Sequence, residues 1–313
     1  MGNNVSHDIT VNPRSVIVIS VLSIAYLVLS WLLVGYQPDQ VVLMLLCNVL
    51  FYASKISRKF LFAYSTFLVY WIIFDYMKAI PNYKVSTVHI EDLYNFEKHI
   101  FGINFNGKLL TPNEYLKLKS TTFLDVLSGI FYLCWIPVPF AFGLYLFFTN
   151  RRQCLHFTIS FVLINIVGFV VYYTYPAAPP WYVQQYGFTF HPHTHEGIAG
   201  LVRFDDYFHV HIFKGLYTKG SNVFAAMPSL HSAYPIVVFY YAVKNKLKVA
   251  SVIFGIVTVG IWFGAVYTSH HYILDVIAGI LCAIAGISLF NVLNSKWPWF
   301  IRFVNNYENL VKK

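Results

Sequence analysis

Long apolar stretches separated by short polar connections dominate this sequence. A helix needs about 20 apolar residues to cross the hydrocarbon core of a bilayer. Eight stretches are candidates for crossing helices: 15–35, 40–54, 60–77, 122–148, 154–175, 224–243, 249–267 and 271–292. The pattern predicts an all-α, polytopic membrane bundle of about eight transmembrane helices. The second stretch is short, and Pro137 and Pro139 predict a kink in the fourth.

Composition supports a membrane protein. Of 313 residues, 58% are hydrophobic and 11% are charged, whereas soluble domains carry about 25% charged residues. The net charge of +9 is spread over small clusters, which favours attraction to anionic head groups and argues against nucleic-acid binding. The polar start before the first long apolar run predicts no cleavable signal peptide.

Basic residues mark one side of the predicted bundle. If all eight spans cross, four basic clusters share that side: Lys55, Arg58 and Lys59; Arg151 and Arg152; Lys244, Lys246 and Lys248; and Lys296, Arg302, Lys312 and Lys313. The positive-inside rule makes that side cytoplasmic, together with both termini. Segments 78–121 and 176–223 then face the extracytoplasmic side. His89–Phe105 is either an amphipathic interfacial helix or a plain surface loop.

The same pattern predicts three regions along the chain. Residues 1–121 hold the first helices and the external segment. Residues 122–292 form a membrane core of the later helices, and residues 293–313 form a cytoplasmic tail.

Two histidine-containing segments begin predicted spans at the external face. They are Pro228–His231 and His270–Asp275. On a helix, His271 and Asp275 would share a face. The carboxylate would then fix the imidazole tautomer and leave the other nitrogen free as a nucleophile. The alternative is a structural ion pair.

His231 is predicted to lie at a helix start, where free N–H groups can hold a phosphate. There it could exchange a proton with a leaving or an attacking oxygen. A lone histidine at such a place is more often an ordinary interfacial residue, and the second histidine segment favours function. His270 would lie about 100° around the helix from His271, which indicates a supporting residue.

At these residues the sequence resembles the type 2 phosphatidic acid phosphatase superfamily. It is most similar to the branch of inositol phosphorylceramide synthases, whose motifs appear here as PSLHS at 228–232, SHHY at 269–272 and APPWY at 178–182. Leu230 replaces the glycine of the wider superfamily, and Ala265 stands where its arginine belongs. No Arg-Pro dipeptide is present. The resemblance covers about 176–292 and is weaker over Asp75–Phe105.

The resemblance implies transfer of a phosphoinositol head group from phosphatidylinositol to ceramide, with membrane lipids as partners and no metal or cofactor. His271 would attack phosphorus to give a phosphohistidine, His231 would act as general acid and then base, and Asp275 would orient His271. Expected contacts to the substrate or phosphate come from Ser229, Trp181, Tyr182 and His270. The lost arginine calls for another cation, with Lys219, Arg203 and Lys78 as candidates, although each is equally well a solvated side chain.

Two other functions are compatible with the sequence. The first is that of a lipid phosphate phosphatase of the same superfamily, with water as acceptor. The second is a transporter or structural membrane protein with an inactive site. The run His191–Glu196 could ligate zinc, or it could be a polar external loop that caps the pocket.

Overall fold

The chain is helical over most of its length. The computed structural model describes residues 11–217, 220 and 222–312. The α-helices are α1 Pro13–Val34, α2 Pro38–Ala53, α3 Lys55–Tyr76, α4 Glu91–Phe101, α5 Pro112–Leu118, α6 Thr122–Leu133, α7 Pro137–Thr149, α8 Arg151–Thr174, α9 Pro180–Tyr186, α10 Val202–Phe208, α11 Ile212–Tyr217, α12 Leu230–Lys244, α13 Lys248–Tyr267, α14 Ile273–Lys296 and α15 Pro298–Val311. Short 3₁₀ turns occupy Met77–Ala79, Asn82–Lys84 and Ala199–Leu201.

The long apolar helices coincide with most of the predicted spans. Six helical segments of the described chain are long and apolar enough to cross a bilayer: 13–34, 55–79, 122–149, 151–174, 248–267 and 273–296. The other two predicted spans are helical but shorter, since α2 has 16 residues and α12 has 15. At 1.5 Å per residue these helices are about 24 Å and 22 Å long. The all-α polytopic bundle is confirmed, and full crossing by these two helices stays a prediction.

The proline pair in the fourth predicted span does more than kink it. α6 ends at Leu133, and α7 begins at Pro137. Proline lacks an N–H group, so it is tolerated best in the first turn of a helix. The span is therefore two helices with a break between them.

The segment around His89–Phe105 combines a helix with a hairpin. α4 buries Leu93 and Glu97 on one side, so this segment contains a helix and is not a plain loop, and its position along the membrane interface stays a prediction. β1 Ile103–Phe105 pairs antiparallel with β2 Lys108–Leu110, with Asn104 opposite Leu109. Asn106 and Gly107 both have positive φ, at 51° and 76°. An Asn-Gly pair of this kind is the preferred two-residue connection of a hairpin.

Contacts divide the chain into two compact units. The first comprises residues 1–80, 143–162 and 288–313, and the second comprises 81–142 and 163–287. In the first unit, α15 is held by its C-terminal end, where Arg151 Nη1 donates to the Val311 carbonyl at 2.8 Å. The linear three-region division predicted from the sequence stays a prediction.

The second unit contains the core that supports the histidines. One cluster gathers buried apolar side chains from α6, the 3₁₀ turn at Ala199–Leu201, α10, α11, α13 and α14: Tyr132, Leu201, Phe204, Phe213, Tyr217, Ala265, Val266 and Val276. α6 and α13 approach closely where α13 carries glycine. A Cβ at Gly264 would lie 3.3 Å from the Ser128 carbonyl oxygen. This packing fixes the end of α13, where the segment with His270 and His271 begins.

Candidate active site

The start of α12 is anchored to α14. Ser229 is the N-cap residue of α12, and its hydroxyl accepts the Ser232 amide at 3.3 Å. The Ser229 amide donates to the Asp275 carbonyl oxygen at 2.9 Å. A Cβ at Gly279 would lie 2.2 Å from the Ser229 carbonyl oxygen, so only glycine permits this approach. His231 is thereby placed in the first turn of α12, a helix that begins six residues after the predicted start of the span.

The second histidine segment is a turn rather than the first turn of a helix. α13 ends at Tyr267 and α14 begins at Ile273, so His270 and His271 lie between them. Their amides both donate to the Ala265 carbonyl at 3.0 Å, and Ser269 has a φ of 62°. The expectation that His271 and Asp275 share a helix face is wrong. They meet because Asp275 accepts the Tyr272 amide at 2.8 Å, and this hydrogen bond holds the turn with His271 against the first turn of α14.

The structure brings His231, His271 and Asp275 into successive contact. His231 Nδ1 lies 3.0 Å from His271 Nε2, which is hydrogen-bond distance. His271 Nδ1 lies 3.6 Å from Asp275 Oδ2, which is longer than a hydrogen bond. His271 Nδ1 and Asp275 Oδ1 have no hydrogen-bond partner in the described part of the chain. Catalytic contacts are often loose without substrate, and a shift of about 0.5 Å would close this one.

Aromatic rings surround His231. Its ring centroid lies 5.1 Å from Tyr132 in a stacked arrangement and 4.4 Å from Trp135 edge-on. Both aromatic residues belong to α6 or the break after it. Sequence reasoning missed them, because aromatic residues are common throughout this chain and their helix has no local sign of function.

A small cavity opens beside the three histidines. It measures about 40 Å³ and is lined by Pro179, Trp181, Glu196, Tyr217, Asn222, Val223, Ala225, Ala226, His231, His270 and His271. That volume holds water but no lipid head group, so substrate binding requires the walls to separate. Burial, with the neighbouring His271 charge, lowers the pKa of His270 to about 3. Burial also raises the pKa of Tyr217 well above its ordinary value.

The predicted substrate contacts differ in their positions. Trp181 lines the cavity, and its amide donates to the Ser269 carbonyl at 3.0 Å. Tyr182 is fully buried, and its hydroxyl donates to the Thr189 carbonyl at 2.8 Å. Ser229 is also fully buried as a helix cap. His270 lines the cavity, and its Nδ1 lies 3.0 Å from the Thr268 hydroxyl. Direct access to substrate thus favours Trp181 and His270.

The candidate phosphate cations are placed elsewhere or not described. Arg203 Nε lies 2.6 Å from Asp125 Oδ1, and its guanidinium sits over the Tyr267 ring. Lys78 belongs to the first unit and pairs with Asp75 at 2.9 Å. Lys219 lies outside the described residues. No lysine or arginine is among the described side chains that line the cavity.

The run His191–Glu196 forms a loop. Its Thr194 amide bonds back to the His191 carbonyl, and His191 and His193 are exposed. The described residues contain no group of three metal-ligating side chains. Glu196 alone of this run lines the cavity.

Two buried polar side chains outside the sequence prediction contact the turn that carries His271. Glu97 of α4 accepts amides at the start of α14, and Asn113 of α5 donates to the carbonyl of His271. Glu97 is separated from these amides by more than 170 positions, so no local pattern could reveal the contact.

Comparison with known proteins identifies the family. The sequence model of the PAP2 superfamily matches residues 109–289, which include His231, His271 and Asp275. This chain belongs to the PAP2 superfamily. The match spans more than half of the chain and confirms the resemblance inferred from the motifs.

Curated relatives of this PAP2 protein are lipid synthases by name. A phosphoinositol dihydroceramide synthase of Bacteroides thetaiotaomicron is 40% identical over 96% of this chain and 99% of its own length. An inositol phosphorylceramide synthase of Candida albicans is 27% identical over 66% of this chain and 42% of its own. The catalytic subunit of that enzyme from Saccharomyces cerevisiae is 26% identical over 71% and 54%. No solved structure matches. The prediction of a PAP2-superfamily lipid phosphotransferase is confirmed at this level.

Proposed function

We propose that this chain moves phosphoinositol from phosphatidylinositol to a ceramide-like alcohol through a phosphohistidine on His271. The observation that carries the proposal is the pair of successive contacts between His231, His271 and Asp275, with distances of 3.0 Å and 3.6 Å. The names of the relatives, which combine inositol with ceramide or dihydroceramide, support the donor and acceptor.

The first step uses the two histidines in opposite roles. The phosphodiester first replaces the 3.0 Å contact between His231 Nδ1 and His271 Nε2, which frees Nε2. His271 Nε2 then attacks phosphorus, and the bond from phosphorus to the diacylglycerol oxygen breaks. His231, which enters this step as the imidazolium, gives a proton to that oxygen, so diacylglycerol leaves as a neutral alcohol. Asp275 stabilises the positive charge that forms on the His271 ring, as the carboxylate does in a catalytic triad.

The second step reverses the proton transfer. The primary hydroxyl of the acceptor gives its proton to His231, and its oxygen attacks phosphorus. The phosphorus–nitrogen bond then breaks, which restores neutral His271 and releases the phosphosphingolipid. Each histidine ends in its starting state, so the balance needs no further reactant.

Labelled lipids test this function. Purified protein in liposomes receives phosphatidylinositol carrying labelled inositol, with or without ceramide. We expect a labelled phosphosphingolipid and diacylglycerol with ceramide, and little water-soluble inositol phosphate without it. Rapid release of inositol phosphate that ceramide does not change would establish a phosphatase instead. The His271→Ala variant in the same liposomes is the matched control.

The side of the membrane is part of this proposal. The basic clusters favour an extracytoplasmic active site with cytoplasmic termini. An impermeant thiol reagent applied to intact cells should label His193→Cys, in the loop that leads to the cavity. It should leave Lys246→Cys, between α12 and α13, unlabelled. Both native side chains are exposed. The reverse labelling would place the site on the cytoplasmic face.

A further inference from the structure

The turn that carries His271 is held from outside by two helices of the external segment. Asn113 of α5 donates through Nδ2 to the carbonyls of Val266 and His271, both at 2.8 Å. Glu97 of α4 accepts the amide of Ile273 at 2.9 Å and that of Leu274 at 3.1 Å. Both side chains have 0% exposure. Four hydrogen bonds therefore hold the turn: two end at or before His271, and two lie after it.

The chemistry of each side chain matches the backbone groups that it meets. A primary amide offers two N–H donors, and here one nitrogen bonds two carbonyls. A carboxylate offers two acceptor oxygens, and here each takes one free amide at the start of α14. Negative charge at this end of a helix is also favoured by the helix dipole. Asp275 takes the amide of Tyr272 at 2.8 Å, so three successive amides are fixed by two carboxylates.

This arrangement carries an energetic cost that packing alone does not explain. Glu97 and Asp275 are both fully buried, and neither forms an ion pair with a lysine or arginine in the described part of the chain. A buried carboxylate without a cation is costly unless hydrogen bonds compensate. Burial, together with the charge of Asp275, raises the pKa of Glu97 to about 7 against the opposing effect of its two amide bonds. Such costly groups concentrate at functional sites.

We propose that Glu97 and Asn113 are positioning residues that hold the His271 turn in the orientation needed for attack on phosphorus. The proposal rests on the proposed function, because it takes His271 as the nucleophile. Neither side chain lines the cavity, so neither is expected to touch the lipid. Their effect passes through the backbone of the turn to the imidazole.

The prediction for each variant follows from what it changes. Glu97→Gln keeps the size of the side chain but turns one NH₂ group toward a backbone amide. Asn113→Leu keeps the number and branching of the side-chain heavy atoms and removes both donors. Misplacement of a reacting group by about 1 Å can lower a rate by about 10²-fold. We therefore expect kcat to fall about 10–100-fold in each variant, while the KM for phosphatidylinositol changes by less than about twofold.

A third variant removes the same hydrogen bond from the other partner. Ile273→Pro deletes the amide that Glu97 accepts, and proline is well tolerated at the first position of a helix. We expect it also to lower kcat, and the loss in Ile273→Pro with Glu97→Gln should be smaller than the product of the single losses. This cycle keeps the proposal testable if Asn113→Leu fails to insert.

Matched controls lie on the same helix. Glu91→Gln and Asn95→Ala change exposed polar residues of α4 and should leave kcat and KM unchanged. The experiment measures kcat, donor KM and the unfolding temperature of each purified variant. Normal kcat in Glu97→Gln and Asn113→Leu would overturn the proposal. A parallel loss of unfolding temperature, kcat and donor binding would also overturn it, by showing a general structural role. Absence of transfer by the unmodified protein would instead refute the proposed function.

Discussion

The two histidines of the site lie in contrasting surroundings. His231 stands on a helix against the rings of Tyr132 and Trp135, and its polar contact is with His271. His271 lies in a turn whose backbone is bonded by Asn113 and Ala265 and whose imidazole faces Asp275. His271, the proposed nucleophile, must point in one direction, and hydrogen bonds to its turn specify that direction. His231, the proposed proton carrier, must serve two oxygens in turn, and aromatic packing places fewer directional restraints on its ring.

Removal of the nucleophile is the strongest test of this contrast. His271→Ala should reduce transfer to the level of liposomes without protein, because it removes the imidazole that is proposed to attack phosphorus and that faces Asp275 through its other nitrogen. The measurement is labelled phosphosphingolipid formed per unit of inserted protein. Substantial transfer by this variant would mean that the polar surroundings serve structure only.

Asp275→Asn should have the next largest effect. The amide can present its NH₂ group to His271 and favour the wrong tautomer, and a similar change in a catalytic triad costs about 10⁴-fold. The Tyr272 amide bonds the same Oδ2 of Asp275 that faces His271, so an asparagine that turns NH₂ toward His271 also loses this cap, and the unfolding temperature is measured beside the rate. Equal insertion and unfolding temperature with an unchanged rate would make Asp275 a structural residue.

His231→Ala should lower the rate by about 10²–10⁴-fold, the usual contribution of a general acid–base group. The loss should shrink with a donor whose leaving group needs no proton, such as a phosphodiester of nitrophenol. An equal loss with both donors would show that His231 acts by packing rather than by proton transfer.

The carboxylate beside the nucleophile turn predicts a pH effect on stability. The pKa of Glu97 is about 7 when folded, against an ordinary value of 4.5. The folded protein therefore holds this proton more tightly. The stabilising contribution is complete below about pH 4.5 and is lost as pH rises to about 7, by on the order of 3 kcal/mol. Unfolding temperatures at pH 5 and pH 8 should differ less in Glu97→Gln than in the unmodified protein. An identical difference would contradict the raised pKa.

His270→Ala should have the smallest effect of the histidine changes. The pKa of His270 is about 3 because of burial and the nearby His271, so this ring stays neutral near neutral pH and cannot supply a proton. The rate profile above about pH 5 should keep its shape. Complete inactivation of His270→Ala, with activity retained in His271→Ala, would exchange the roles of the two adjacent histidines.

The sequence determined the apolar segments and singled out the residues that are proposed to react. All eight predicted segments are helical at least in part, because a long apolar run has only one stable way to satisfy its backbone in lipid. The motifs around His231 and His271 identified the superfamily. The boundaries were less accurate: α12 begins at Leu230 rather than 224, because the segment before it bonds to other loops instead of to itself.

Only the tertiary structure decided how the reactive residues meet. His271 lies before α14, so its contact with Asp275 depends on a capping hydrogen bond and not on helical spacing. Arg203, a cation candidate by position, is held by Asp125. Glu97 and Asn113 reach the nucleophile turn from more than 150 residues away. Hydropathy and spacing report interactions between near neighbours in the chain, whereas the polar contacts that orient this site form between distant segments and exist only once the helices have packed.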